Sequence, residues 1–228
     1  MKDKPNEWVS ISDLMAGVMA VVMLMLVLSV LQNKVAEVKR EQEKNSGLAA
    51  AQQKLNTLMH SMQKEMADRG EEMLVGFDMA SGKITLRDKI FAKGSACITD
   101  QAKDALARLA PRIAEFVGSA ANTQVFVEGH TDNLQVSNPV TDISRFCTVY
   151  DDNYTLSAAR AREARKLLVT SLDEQQSRRV IVAGFGDSQP LSGISPDDER
   201  NRRVEVQFLT HAAARQDSTT TESITDGK

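Results

Sequence analysis

The sequence predicts an α/β chain in three parts: a single N-terminal transmembrane helix, a helical spacer, and an α/β sandwich with helices packed on one sheet face. Three observations predict it. Leu14 to Leu31 carries no charge. In the polar stretch that follows, Leu48, Leu55 and Met62 recur every seven residues. From about Glu72 the apolar pattern changes to short alternating strand and helix periods. Averaged over 228 residues, the chain is 42% hydrophobic, 26% charged and 4% aromatic, with net charge -3. Those averages suggest one ordinary soluble domain and hide the segregation. They do exclude collagen-like, wholly disordered and disulfide-dense chains, and they lack the basic excess of a nucleic-acid binder.

The first part is the anchor. Between Val9 and Leu31 the one charge is Asp13. About 23 residues at about 1.5 Å each give about 34 Å of helix, enough to cross a bilayer. A cleaved signal peptide would have an apolar core of about 7–15 residues ending at small residues, whereas this run continues through Leu28, Ser29, Val30 and Leu31 into Gln32. Lys2 and Lys4 precede the span, and Lys34, Lys39, Arg40 and Lys44 follow it. That balance leans against a cytoplasmic N-terminus, but a long translocated domain escapes the charge rule. The ligand expected of the folded part decides for residues 1–8 in the cytoplasm, with a span over 9–31.

Asp13 is the informative residue of this part. A charged side chain at the centre of a membrane helix costs about 2.5–3.5 kcal/mol on insertion scales, and less near an end. Asp13 therefore either caps the helix in the headgroup layer, near Trp8, or faces protein or water. Gly17, Ala20 and Leu24 fall near its face, and Ala16 with Ala20 makes a small-xxx-small pair that admits a neighbouring helix. The run Trp8-Val9-Ser10-Ile11-Ser12-Asp13-Leu14-Met15 resembles the start of the membrane helix in MotB-like stator subunits, the B components of ion-driven rotary motors in inner membranes. Its W-x-S-x-x-D-L-M form is closer to the B subunit of the Zorya anti-phage defence system than to flagellar MotB. The resemblance implies that Asp13 carries the proton. It also implies a multi-span MotA-like (ZorA-like) partner forming an oligomeric ring, with a homodimer of this chain inside it.

Residues 32–71 are polar, lack proline and contain Gly47 as a breaker. Leu58, Met59 and Met66 lie close to the Leu48/Leu55/Met62 face. The pattern reads as a helix that pairs with a copy of itself in a weak coiled coil, or else as a solvated spacer.

The folded part runs from 72 to 211. Phe77-Asp78-Met79 and Lys83-Ile84-Thr85-Leu86-Arg87 bracket Ser81-Gly82 as a hairpin. Asp100 is positioned to cap a helix running to about Val117, with Ala102, Ala105, Leu106, Leu109 and Ile113 on its apolar face and Pro111 expected to kink or break it. Gln124 to Glu128 reads as a strand, Leu156 to about Leu172 as a helix, and Arg179 to Phe185 and Arg203 to Leu209 as two more strands. The tail, 212–228, is Ser/Thr-rich and expected to be disordered.

Four motifs sit at the ends of these elements: Gly129-His130-Thr131-Asp132, Asn153-Tyr154-Thr155-Leu156-Ser157-Ala158-Ala159-Arg160-Ala161, Gly184-Phe185-Gly186 and Asn201-Arg202-Arg203-Val204. In that order they resemble the OmpA C-terminal-like domain, whose members bind peptidoglycan without cutting it. The resemblance implies that Asp132 and Arg160 hold the diaminopimelate of the stem peptide, with Thr131 in the motif, Asn153 and Leu156 lining the pocket, and Asn201 and Arg202 completing its rim. A carboxylate beside a guanidinium fork suits such a zwitterion, and Arg160 is expected on the first turns of its helix, where free N–H groups favour an anion. Residues 134–152 replace what is a short loop in many relatives.

Cys97 and Cys147 are the two cysteines. An even count in a domain outside the cytoplasm suggests one disulfide, the alternative being two free thiols. Closing a loop of about 50 residues would contribute roughly 3–4 kcal/mol. His130 and Asp132 form an H-x-D pair, but no third ligand stands at a recognisable spacing and no nucleophile–base pair is visible. No enzyme activity, metal or cofactor is expected. The residues and resemblances together point to a single-pass protein of the bacterial inner membrane with a periplasmic C-terminal domain: a proton-driven, stator-like motor subunit anchored to peptidoglycan in anti-phage defence. The alternatives are a flagellar-type MotB subunit, or a passive wall anchor without ion transport.

Overall fold

The structure, a computed structural model, describes residues 7–120 and 122–210; the side chains of residues 7–11, 13, 44 and 48 fall outside the described ones. The expected tail and most of the expected cytoplasmic N-terminus lie outside that range. The element order is α1 (Glu7–Asp68), β1 (Val75–Asp78), β2 (Lys83–Arg87), α2 (Asp100–Ser119), β3 (Thr123–His130), α3 (Ile143–Phe146), α4 (Asn153–Leu168), α5 (Glu174–Ser177), β4 (Val180–Gly184) and β5 (Arg203–Thr210). Short 3-10 turns follow β2 at Asp88–Ile90 and precede β5 at Glu199–Asn201. The chain forms two compact units that divide at Ala50, and α1 contributes to both.

In the first unit α1 stands alone. Fourteen large apolar side chains between Leu14 and Leu31 are exposed. Covering them is worth on the order of 20–40 kcal/mol at about 1.5–3 kcal/mol each, so this helix is not built to stay in water. Among the described residues it is the one helix long and apolar enough to cross a membrane.

In the second unit the sheet runs β1-β2-β5-β3-β4. Only the β3–β4 pair is parallel; the other pairs are antiparallel. Alternation along the strands puts Ile84, Leu86, Val125, Val127, Val204, Val206 and Phe208 into one core, closed by Leu106, Leu109 and Ile113 of α2 and by Ala161, Ala164 and Leu168 of α4. The hairpin turn closes at Gly82, whose φ of 65° suits glycine.

Four expectations need correction. The stripe of Leu55, Leu58, Met59, Met62 and Met66, expected to pair with a second copy, is buried in the core of the chain's own domain. The sheet has apolar residues on β1 and β2 that need cover, and the last turns of α1 supply it. The helix then stops at a left-handed Gly70, where Glu71 N–H donates to Met66 O at 2.9 Å and Gly70 N–H to Ala67 O at 3.0 Å. Pro111 does not break α2, which continues to Ser119. Pro111 and Ala107 are exposed, so the Ala107 carbonyl left without an N–H partner faces water, while Leu106, Leu109 and Ile113 hold the buried side. The N-cap of α2 is Thr99, and Asp100 is the first helical residue. Likewise α4 begins at Asn153, capped by Asp152 through Thr155 N–H, and ends at Leu168.

The two cysteines are joined as a disulfide, with Cα atoms 5.1 Å apart. It ties the segment before α2 to the end of α3. Reduction by dithiothreitol is expected to cost roughly 3–4 kcal/mol and to lower the unfolding temperature by about 10 °C. Calorimetry with and without reductant checks this; an unchanged transition would make the bond thermodynamically idle.

Candidate functional site

β3 and α4 build the site. β3 ends at His130 and delivers Thr131 and Asp132 to the rim of the sheet. Gly129 pairs with Gly184 across the parallel strands, and both lack side chains where α4 crosses them, so the helix comes into backbone contact with the sheet. Ser157 Oγ then accepts from Gly186 N–H at 3.0 Å, and Thr131 N–H donates to Gly186 O at 2.8 Å. These contacts fix the start of α4 beside the exit of β3.

The result is a cleft of about 310 Å³ lined by Thr131, Asp132, Asn153, Leu156, Arg160 and Arg202 together with residues of the 134–152 segment. Asp132 and Arg160 are linked through two further residues rather than to each other. Arg202 Nη1 lies 2.6 Å from Asp132 Oδ2, and Arg202 Nε lies 3.2 Å from Asp88 Oδ2. Arg160 Nη1 lies 3.3 Å from Asp88 Oδ1, and Arg160 Nε donates to Ser95 O at 3.0 Å. The Arg160 guanidinium also stands 5.2 Å from the Phe91 ring centre. Two carboxylates and two guanidinium groups thus share one network, in which Arg160 and Asp132 are buried, 2% and 5% exposed, and Asp88 and Arg202 are half-buried. Burial pulls the Arg160 pKa down, with Asp88 opposing. For Arg202 burial acts the same way, but Asp132 and Asp88 outweigh it and raise its pKa.

Asp88 is the site residue that sequence reasoning missed. It belongs to no motif; it reaches the site because β2 pairs with the start of β5, Arg87 opposite Arg203. Asn201, by contrast, is no rim residue. It is fully buried, donating through Nδ2 to Ser195 O at 2.8 Å and accepting from Leu191 N–H at 2.8 Å, so it holds the 191–196 loop in place. Asn153 Nδ2 donates to Leu134 O at 3.0 Å and Asp132 O at 3.3 Å, fixing the cleft edge. Arg160 lies two turns into α4, not at its start, and the free N–H groups there are partly spent on Asp152.

On the other sheet face, ligand atoms of Glu128, His130 and Glu205 lie within 4.8 Å of one another. Glu205, however, accepts from Lys83 Nζ at 2.8 Å and Arg203 Nε at 2.6 Å. Two cations already neutralise the group's charge, so the donor set does not suit a metal ion. His130 is 1% exposed, and neither ring nitrogen has a hydrogen-bond partner. Burial, with Arg203 adding to it, holds its pKa down to about 4. A histidine depressed in the folded state costs nothing above its unfolded pKa near 6.5 and destabilises as pH falls below it. The His130 contribution to stability is therefore expected to fall by about 2 kcal/mol between pH 7.5 and pH 5. Urea midpoints at the two pH values check this; equal midpoints would contradict it.

The chain is 26% identical over 226 residues to the Zorya protein ZorB of Escherichia coli strain Crooks, covering 92% of this chain and 91% of that one. It is 26% identical over 154 residues to the truncated LafU of Escherichia coli K12, named for flagellar export and assembly, and spans 62% of that protein's length. Among solved structures, a MotB-like protein from Desulfovibrio vulgaris is 24% identical with a TM-score of 0.48, covering 70% of this chain and 99% of that one. The cell wall anchor of the T6SS from Pseudomonas aeruginosa is 27% identical with a TM-score of 0.47, covering 65% and 96%. Residues 90–203, half of the sequence and the part that carries the cleft, match the OmpA family, and the chain belongs to that family.

Proposed function

We propose that this chain is the B subunit of a proton-driven, stator-like rotary motor of the bacterial inner membrane, fixed to peptidoglycan and serving anti-phage defence in the manner of a Zorya system. It does no bond-making chemistry of its own. One observation carries the binding step: beside the Asp132 carboxylate the cleft holds a buried hydroxyl without a partner, Thr131 Oγ1, and Arg160 Nη1, which is ion-paired to Asp88 but makes no hydrogen bond. Buried polar groups without partners cost about 1–3 kcal/mol each, and a ligand bearing an acceptor next to an ammonium relieves that cost. Diaminopimelate in a stem peptide has this pattern, with its carboxylate directed to Arg160 and its ammonium to Asp132.

The exposed apolar run 14–31 supports the membrane half of the reading. With the wall-binding unit outside, the N-terminus lies in the cytoplasm, and a homodimer inside a multi-span MotA-like ring presents Asp13 to the ion path. Each proton crossing about 100 mV releases about 2.3 kcal/mol, which drives the partner while the cleft resists torque.

Asp132→Asn tests the ligand. The amide still accepts from Leu134 N–H, and Arg202 keeps Asp88, so the fold should persist. Losing one charged hydrogen bond, about 1.5–3 kcal/mol, predicts roughly 10- to 100-fold weaker binding to purified sacculi. Binding equal to the parent's would remove Asp132 from the ligand assignment.

A further inference from the structure

More than half of the residues lining the cleft come from one segment, 134–152. That segment is held at several points. The Cys97–Cys147 disulfide ties it to the residues before α2. Ser95 Oγ and Ala96 N–H both donate to Phe146 O at 3.0 Å. Tyr150 Oη donates to Gly94 O at 2.5 Å, and Val140 and Tyr150 form an antiparallel bridge with N···O distances of 2.8 and 3.0 Å. The same residues, 94–97, include the Ser95 carbonyl that positions Arg160. A stretch so tethered is a wall rather than a loose loop.

The chemistry of the wall differs from that of the charged network. Asp132, Arg160 and Arg202 are ionic, whereas the polar side chains that the wall adds, Gln135, Ser137 and Asn138, are uncharged. A carboxamide offers a donor and an acceptor together, which matches a peptide unit and not a second charge. We infer that segment 134–152 is the specificity-determining wall of the cleft. It reads the amide backbone flanking the diamino acid, so the preferred ligand is a peptide containing diaminopimelate rather than the free amino acid. This rests on the ligand reading proposed above.

The test is calorimetric titration of the full chain in detergent with two probes: free meso-diaminopimelate and a soluble tetrapeptide containing it. The parent is expected to bind the tetrapeptide at least tenfold more tightly than the free amino acid, the combined effect of two or so neutral hydrogen bonds. A Gln135→Ala, Asn138→Ala double variant is expected to lose that tenfold advantage and to keep its affinity for free diaminopimelate within about twofold. Both residues are exposed, so the fold is not at risk, and near-ultraviolet circular dichroism confirms it. If the double variant keeps full tetrapeptide affinity, or loses both probes equally, the wall assignment is overturned while the ligand reading stands. If the parent binds neither probe, the ligand reading fails and the wall falls with it.

Discussion

Gly129→Ala is expected to leave the second unit largely unfolded at 37 °C. A Cβ at this position would overlap the Ser157 carbonyl oxygen and lie 2.6 Å from the carbonyl carbon. Both obstacles are backbone atoms of α4, so no side-chain rotation relieves them. Gly184, its register partner, is equally confined: a Cβ there would meet Ala158 Cβ at 2.6 Å and Ala158 N at 2.8 Å. The helix would have to lift from the sheet, breaking the Ser157–Gly186 bond and opening the core at Ala161 and Ala164. Ordinary overpacking costs about 1–3 kcal/mol. A clash with rigid backbone belongs to the exceptional class above about 4–5 kcal/mol, comparable to the whole stability of a marginal domain, about 5–15 kcal/mol. Gly118→Ala is the control. It lies in α2 with its nearest obstacle, Gln176 Nε2, at 3.5 Å, and is expected to be neutral or to stabilise by about 0.5–1 kcal/mol. Urea unfolding followed by circular dichroism separates the two; a Gly129→Ala protein as stable as the control would contradict the close approach.

The glycines show how far the sequence could be read. Gly129 and Gly184 were visible as parts of motifs, but the reason for them is the crossing of α4, which needs the register of β3 and β4 to be known. β2 came through well because it alternates cleanly: Ile84 and Leu86 inward, Lys83, Thr85 and Arg87 outward. The buried end of α1 was legible as an apolar stripe and illegible in its partner. Leu55, Met59, Met62 and Met66 repeat in the same way whether the opposing surface is a second helix or the chain's own sheet.

The site divides along the same line. Thr131, Asp132, Asn153, Leu156, Arg160 and Arg202 meet at one cleft, as expected of motifs placed at the ends of neighbouring elements. Asp88 was missed because its role depends on a strand pairing that joins residues more than a hundred positions apart. Asn201 was misplaced for the opposite reason. It stands inside a recognisable motif, but its carboxamide is consumed by Leu191, Ser195 and Pro196 of a neighbouring loop. Motif membership identifies residues that matter and does not say whether they face a ligand or hold the backbone.

On the proposed motor reading, Asp13→Asn is expected to abolish proton passage while leaving the chain in the membrane and on the wall. The amide matches the carboxyl in size and suits a capping position as well, so insertion of the 14–31 run is unchanged. What it loses is the ability to take up and release a proton at any accessible pH. The cleft of Asp132 and Arg160 lies in the other compact unit, so sacculus binding is expected to equal the parent's. Proton flux through membranes carrying this chain and the proposed multi-span partner is expected to fall to background, and phage protection to fall with it by orders of magnitude. Asp13→Glu keeps the carboxyl and is expected to retain part of both. The pair of measurements separates the motor from a passive anchor, because an anchor needs only the span and the cleft, and Asp13→Asn preserves each. Full protection by the Asn variant would exclude Asp13 from the ion path and leave the anchor as the reading that fits; loss of protection with sacculus binding intact is a result that only coupling through the carboxyl explains.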